Sequence, residues 1–142
     1  MRKNWMVILC ILALAACLYA DGKSIAKYPG VTVRSLVTGT TTHGTNGLYF
    51  GPDGYLYVAS NGGNEILVLD PNSGQIQRRI GPDRGVASPD DLTFGPDGML
   101  YFTAFFSGEV RKINPADPGA TAVTIASGLP GVNPITFSDD GR

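Results

Sequence analysis

Asn46-Gly-Leu-Tyr-Phe-Gly-Pro-Asp-Gly-Tyr-Leu-Tyr57 and Asp90-Asp-Leu-Thr-Phe-Gly-Pro-Asp-Gly-Met-Leu-Tyr101 are two copies of one pattern. Phe94 follows Phe50 by 44 residues, and the match runs without a gap through Glu65 and Glu109 to Pro71 and Pro115. A third copy opens at Asn133-Pro-Ile-Thr-Phe137, where Phe137 follows Phe94 by 43. Self-similarity at a period of this size marks a repeat architecture in which each copy is one supersecondary unit.

Each unit predicts four short strands, at 47–50, 55–60, 65–70 and 75–80, then at 91–94, 99–104, 109–114 and 122–127. Gly51-Pro52-Asp53-Gly54 joins the first two. Proline presets φ at the second turn position, and the closing glycine can take the left-handed conformation. Asn61-Gly62-Gly63-Asn64 and Pro71-Asn72-Ser73-Gly74 make the next turns. Leu56, Val58, Ile66 and Val68 alternate with neighbours that are themselves largely apolar, as in strands covered on both faces. Four strands every forty-odd residues predict an all-β fold, a partial β-propeller of four-stranded antiparallel blades. The expected boundaries are an outer strand at 31–38, a blade at 39–82, a second at 83–128 and the start of a third at 129–142. Rings of this kind typically take about four to eight blades, so the chain reads as a propeller fragment.

Residues 1–20 are set aside from the fold. Arg2 and Lys3 precede an uncharged apolar run from Trp5 to Ala16, which fits a signal-peptide core and is short for a membrane span. Two exits stay open. Cleavage after Ala20 releases a secreted or periplasmic protein, whereas Leu14-Ala15-Ala16-Cys17 resembles a lipoprotein box that anchors the chain by lipid at Cys17. Both readings export the protein, and no transmembrane span is expected after the leader. Cys10 and Cys17 both lie in the leader, so no disulfide framework is expected beyond it. Eleven basic against twelve acidic side chains supply no field for nucleic acid. Arg78-Arg79, Arg111-Lys112, Glu65 and Glu109 read as solvated surface charges.

In a propeller the first strand of each blade lines the central channel, so the residues that enter it are the candidates. Asn46, Asp90 and Asn133 each stand four positions before a repeat phenylalanine. Their oxygens suit a hard divalent cation, Ca²⁺ above all. Asn and Asp also cap strand entries by bonding nearby backbone, and that reading stays open. Asp91 replaces Gly47 of the first copy, so one of the Asp90–Asp91 pair is expected to face the channel and the other to cap the turn. His43, the single histidine, lies in the polar loop before the first inner strand and could contact substrate or metal. Asp53 and Asp97 belong to the hairpin turns.

Asn46-Gly-Leu-x-Phe-x-Pro-Asp-Gly-x-Leu-Tyr-Val-Ala and Pro89-Asp90-Asp91-Leu-x-Phe-x-Pro-Asp-Gly-x-Leu-Tyr resemble the six-bladed propellers of the senescence-marker-protein, gluconolactonase and luciferin-regenerating-enzyme family, over about residues 31–142. The resemblance implies one divalent cation at the channel mouth, with Asn46 and Asp90 among its ligands. It also implies hydrolysis of lactones or related esters by a complete ring, on a lactone or sugar-like small molecule. Asp91 stands where the family usually has glycine, and the family's early glutamate has no match here. The same blade rhythm occurs in NHL-repeat and virginiamycin lyase-like proteins, which keeps a non-catalytic module binding a protein or sugar as the alternative. As a fragment, the chain is expected to be inactive by itself.

Overall fold

The computed structural model describes residues 28–39 and 42–141; the leader, with the expected signal peptide and Cys17, lies outside them. Among the described residues no helix is long and apolar enough to cross a membrane. The chain divides into two compact units, 1–35 and 36–142. Of the first, the described part is a turn closed by the Val31 amide on the Tyr28 carbonyl, followed by irregular chain.

The second unit holds eight strands: β1 (Thr45–Phe50), β2 (Leu56–Ser60), β3 (Glu65–Leu69), β4 (Ile76–Ile80), β5 (Pro89–Phe94), β6 (Leu100–Ala104), β7 (Glu109–Ile113) and β8 (Val123–Ala126). They form two antiparallel sheets of identical order, β1-β2-β3-β4 and β5-β6-β7-β8. The sheets approach one another along β1, β2 and β5, which places the first strands innermost. Tyr57, Ala59, Ile66, Val68 and Ile80 of the first sheet pack on Leu92, Leu100, Phe102, Ala104 and Ile113 of the second. The intervening residues Val58, Leu67 and Leu69 are buried on the opposite face, against Val37. The middle strands of the first sheet are therefore covered on both sides, which is why their sequence does not alternate.

Two expected strands do not form. Residues 31–38 are irregular and form no strand. Residues 133–137 likewise have no ladder neighbour among the described residues. Single bonds hold them instead: the Ile135 amide donates to the Asp91 carboxylate at 3.0 Å, and the Thr103 hydroxyl to the Asn133 carbonyl at 2.9 Å.

The joint between successive copies is itself repeated. Tyr57 meets Phe94 edge to face at 5.0 Å, and Tyr101 meets Phe137 in the same way at 4.9 Å. Each tyrosine hydroxyl donates to the aspartate of its own hairpin turn, Tyr57 to Asp53 at 2.9 Å and Tyr101 to Asp97 at 2.8 Å. Burial, followed by the Asp53 bond, pushes the Tyr57 phenol up to about 12. Phe50 is 60% exposed and shows no ring contact among the described residues, so it does not share the surroundings of Phe94.

The charges read as solvated are largely engaged. Arg78 donates to Asp53, to the Tyr57 hydroxyl and to the Pro115 carbonyl. Glu65 pairs with Arg79, and Glu109 with Arg111, whose guanidinium also reaches the Gly85 carbonyl. The Ser107 hydroxyl, then Arg111, hold the Glu109 carboxyl below its ordinary range, and the Ser73 and Asn72 amides do the same for Asp70. Depressed carboxyls contribute stability above their unfolded pKa and lose it as pH falls through the folded value. The thermal midpoint should therefore hold from about pH 7 to about pH 5 and decline below about pH 4. A midpoint that rises on acidification would contradict this.

Candidate functional site

Both inner strands are bulged at the same place. The ladder between β1 and β2 slips between Thr45 and Leu48, and that between β5 and β6 slips between Pro89 and Leu92. The unpaired residues are Asn46-Gly47 and Asp90-Asp91. A bulge frees two residues from the ladder and re-aims their side chains. These side chains thus leave the sheet pattern where the blades meet.

Asp90 is 5% exposed. Its Oδ1 accepts from the Asn46 side-chain amide at 2.8 Å and more weakly from that of Asn61 at 3.4 Å. Its Oδ2 is buried and has no hydrogen-bond partner. A buried acceptor left unmatched costs about 1–3 kcal/mol. The surrounding backbone is bent to fit. Ser88 and Asn64 both adopt positive φ, at 46° and 53°, and Asn64 Oδ1 accepts the Ser88 amide at 2.9 Å. The Asn61 amide also reaches the Ser88 carbonyl at 3.5 Å.

Asp91 takes the second role. It caps the Leu92 amide through Oδ1 and accepts the Ile135 amide through Oδ2. Gly47 packs directly on it, since a Cβ there would lie 2.6 Å from the Asp91 Cα. The glycine of one copy and the aspartate of the next are complementary halves of one contact. Asn133 is exposed and is tied in through its backbone carbonyl, and no hydrogen bond joins it to Asn46 or Asp90. His43, at φ 45°, has a half-exposed ring with Nδ1 3.8 Å from Glu65.

The structure thus brings Asn46 to Asp90, turns Asp91 toward the next segment and leaves Asn133 and His43 outside the cluster. Among the described residues no three His, Cys, Asp or Glu side chains gather. Asn61 and Asn64, read in the sequence as turn residues, and Ser88, unassigned there, belong to the cluster. Their signal was a break in the repeat: Asn61-Gly-Gly-Asn64 aligns with Phe105-Phe-Ser-Gly108.

No family model and no curated protein matches the sequence. Solved structures match in shape. Virginiamycin B lyase from Staphylococcus aureus aligns over 72% of this chain and 34% of its own, with a TM-score of 0.56 and 18% identity. Hydrazine synthase from Kuenenia stuttgartiensis aligns over 82% and 31%, with a TM-score of 0.53 and 20% identity. A luciferin-regenerating enzyme aligns over 63% and 32%, at 0.49 and 20%. The chain spans about a third of the length of the structures it matches. A lyase and a synthase on one scaffold mean that such likeness speaks to architecture and not to chemistry. The two sheets are blades of a β-propeller, and the described fold is a partial one.

Proposed function

We propose that this chain is part of an exported, gluconolactonase-like propeller whose complete ring hydrolyses lactones or related esters with the help of a bound divalent cation, Ca²⁺ by the chemistry of the donors. The observation that carries the reading is the buried, unpartnered Oδ2 of Asp90. Such an atom calls for a partner, and an ion is one that meets it. Asp90 would hold the cation through its carboxylate, and Asn46 and Asn61, whose amides lie against that carboxylate, would offer their amide oxygens after a half-turn. The donors fit a hard ion in kind. Calcium takes about six to eight oxygens, so water, substrate and other parts of a ring would complete the set. A cation held there would supply polarisation of an ester carbonyl and acidification of bound water. Asp90 and its asparagines fix the position at which this happens, and the bulges keep their side chains out of the ladder.

Calcium at about a hundredfold over its Kd should stabilise the protein by about 2.7 kcal/mol, and Asp90→Asn should remove the gain. In the complete ring, chelation or Asp90→Ala should abolish lactone hydrolysis. Turnover on a lactone panel that survives both sinks the metal mechanism. One observation favours a non-catalytic binding module instead: both asparagines turn NH2 groups toward Asp90 Oδ1. This is how amides hold a carboxylate that accepts a hydroxyl from a sugar. Under that reading calcium leaves stability unchanged.

A further inference from the structure

The outer strand of the first blade and the outer loop of the second both depart from the repeat. Arg78 and Arg79 of β4 pair with Val68 and Leu67, and at the same ladder positions the second blade has Val123 and Thr124. Arg84 has no repeat either, since Gly128 stands 44 residues after it. The link after β3 spans 70–75, whereas the link after β7 is longer and spans 114–122. The three arginines, with Ile80, Pro115 and Pro118, line a cavity of about 370 Å³. That volume lies in the range of small-molecule sites, and no residue of the Asp90 cluster lines it.

Arg78 and Arg84 grip consecutive carbonyls of the longer loop. Arg78 Nη1 donates to Pro115 at 2.9 Å, and Arg84 Nη2 donates to Asn114 at 3.1 Å. Two guanidinium charges so close together repel, and an anion relieves the repulsion. Arg78 has Asp53 beside it, and Arg79 has Glu65. Arg84 meets only the carbonyls of Asn114, Asp117 and Ala120 among the described residues. The Asp117 carboxylate accepts the Gly119 amide instead. Arg84 spends Nε and Nη2 on the loop, which leaves the two Nη1 donors of its fork for a ligand.

We propose that this cavity binds phosphate, as the free ion or as the terminal group of a small ester. Arg84 supplies the uncompensated charge, and Arg78 stands beside it on the same peptide. A tetrahedral oxyanion presents oxygens in several directions and accepts from two guanidiniums at once, whereas a planar carboxylate is matched by a single fork. Pro118, exposed at the rim, is an apolar surface for the organic part of an ester. The site lies on an outer strand and an outer loop, so it stands or falls independently of the cation at Asp90.

Inorganic phosphate and phenyl phosphate are the probes, titrated into the whole chain while the Arg84 Nε–H signal is followed by NMR. At least one of them should shift it. Inorganic phosphate alone assigns the free ion, and phenyl phosphate as the tighter of the two assigns an ester. Acetate, the planar control, should bind about tenfold more weakly. Arg84→Lys keeps the charge but loses the fork, and should weaken phosphate about three- to tenfold. Pro118→Glu removes no side-chain bond and sets a carboxylate at the rim, so it should weaken phosphate by about tenfold or more. Circular dichroism checks that both variants fold, and Pro118→Glu serves alone if Arg84→Lys does not. No shift with either phosphate, acetate binding as tightly as phosphate, or a Pro118→Glu protein with the parent's affinity overturns the proposal.

Discussion

Gly47→Ala is expected to destabilise the two-blade unit by about 3 kcal/mol, read as a fall in the urea midpoint at unchanged m. The added methyl would stand 2.6 Å from the Asp91 Cα and 3.0 Å from the Asp90 carbonyl oxygen. Both are backbone atoms of the next blade's bulged strand and cannot step aside as a flexible side chain can. Relief would require the blades to part along β1 and β5, which would also pull Asn46 from Asp90. Gly54→Ala is the control. Gly54 has φ +80° but open space around it, so it should cost only the left-handed strain of about 1–2 kcal/mol. A Gly47→Ala protein with the parent's midpoint would show that the blades are not held in this register.

Phe102→Ala should cost about 3–5 kcal/mol. Phe102 is fully buried in the cluster that both sheets line. Its removal leaves a cavity where rigid strands on both sides limit collapse. Phe50→Ala, at a ring that is 60% exposed, should change stability by no more than about 0.5 kcal/mol. Comparable losses from the two variants would mean that the core does not lie between the sheets.

The strands, their turns and the antiparallel blades were legible in the sequence because they are local. Gly51-Pro-Asp-Gly54 and its copy announce a hairpin wherever they occur, and the period of 44 counts the units. What escaped depends on pairs of residues on different strands or in different blades. Gly47 looks like a turn glycine until Asp91 is seen against it. Glu65 and Arg79 look like ordinary surface charges until β3 and β4 bring them together. Arg84 is a similar case. Gly81-Pro82-Asp83-Arg84 resembles the hairpin turn but lacks its closing glycine. It forms a short 3-10 turn whose arginine donates to the carbonyls of Asn114, Asp117 and Ala120. Of the candidate residues, the register that singled out Asn46 and Asp90 was visible, since both sit on bulges. Asn61 entered only through the fold, because its turn belongs to one blade and its partner to the next.

The edge-to-face tyrosine–phenylalanine joint has a bearing on how such a chain can change over generations. Each module carries the socket for its successor and the plug for its predecessor, so duplicating or deleting a whole module rejoins like to like. An insertion within a strand would instead shift that strand's register and move its own plug or socket. Genetic tolerance should thus come in steps of one module.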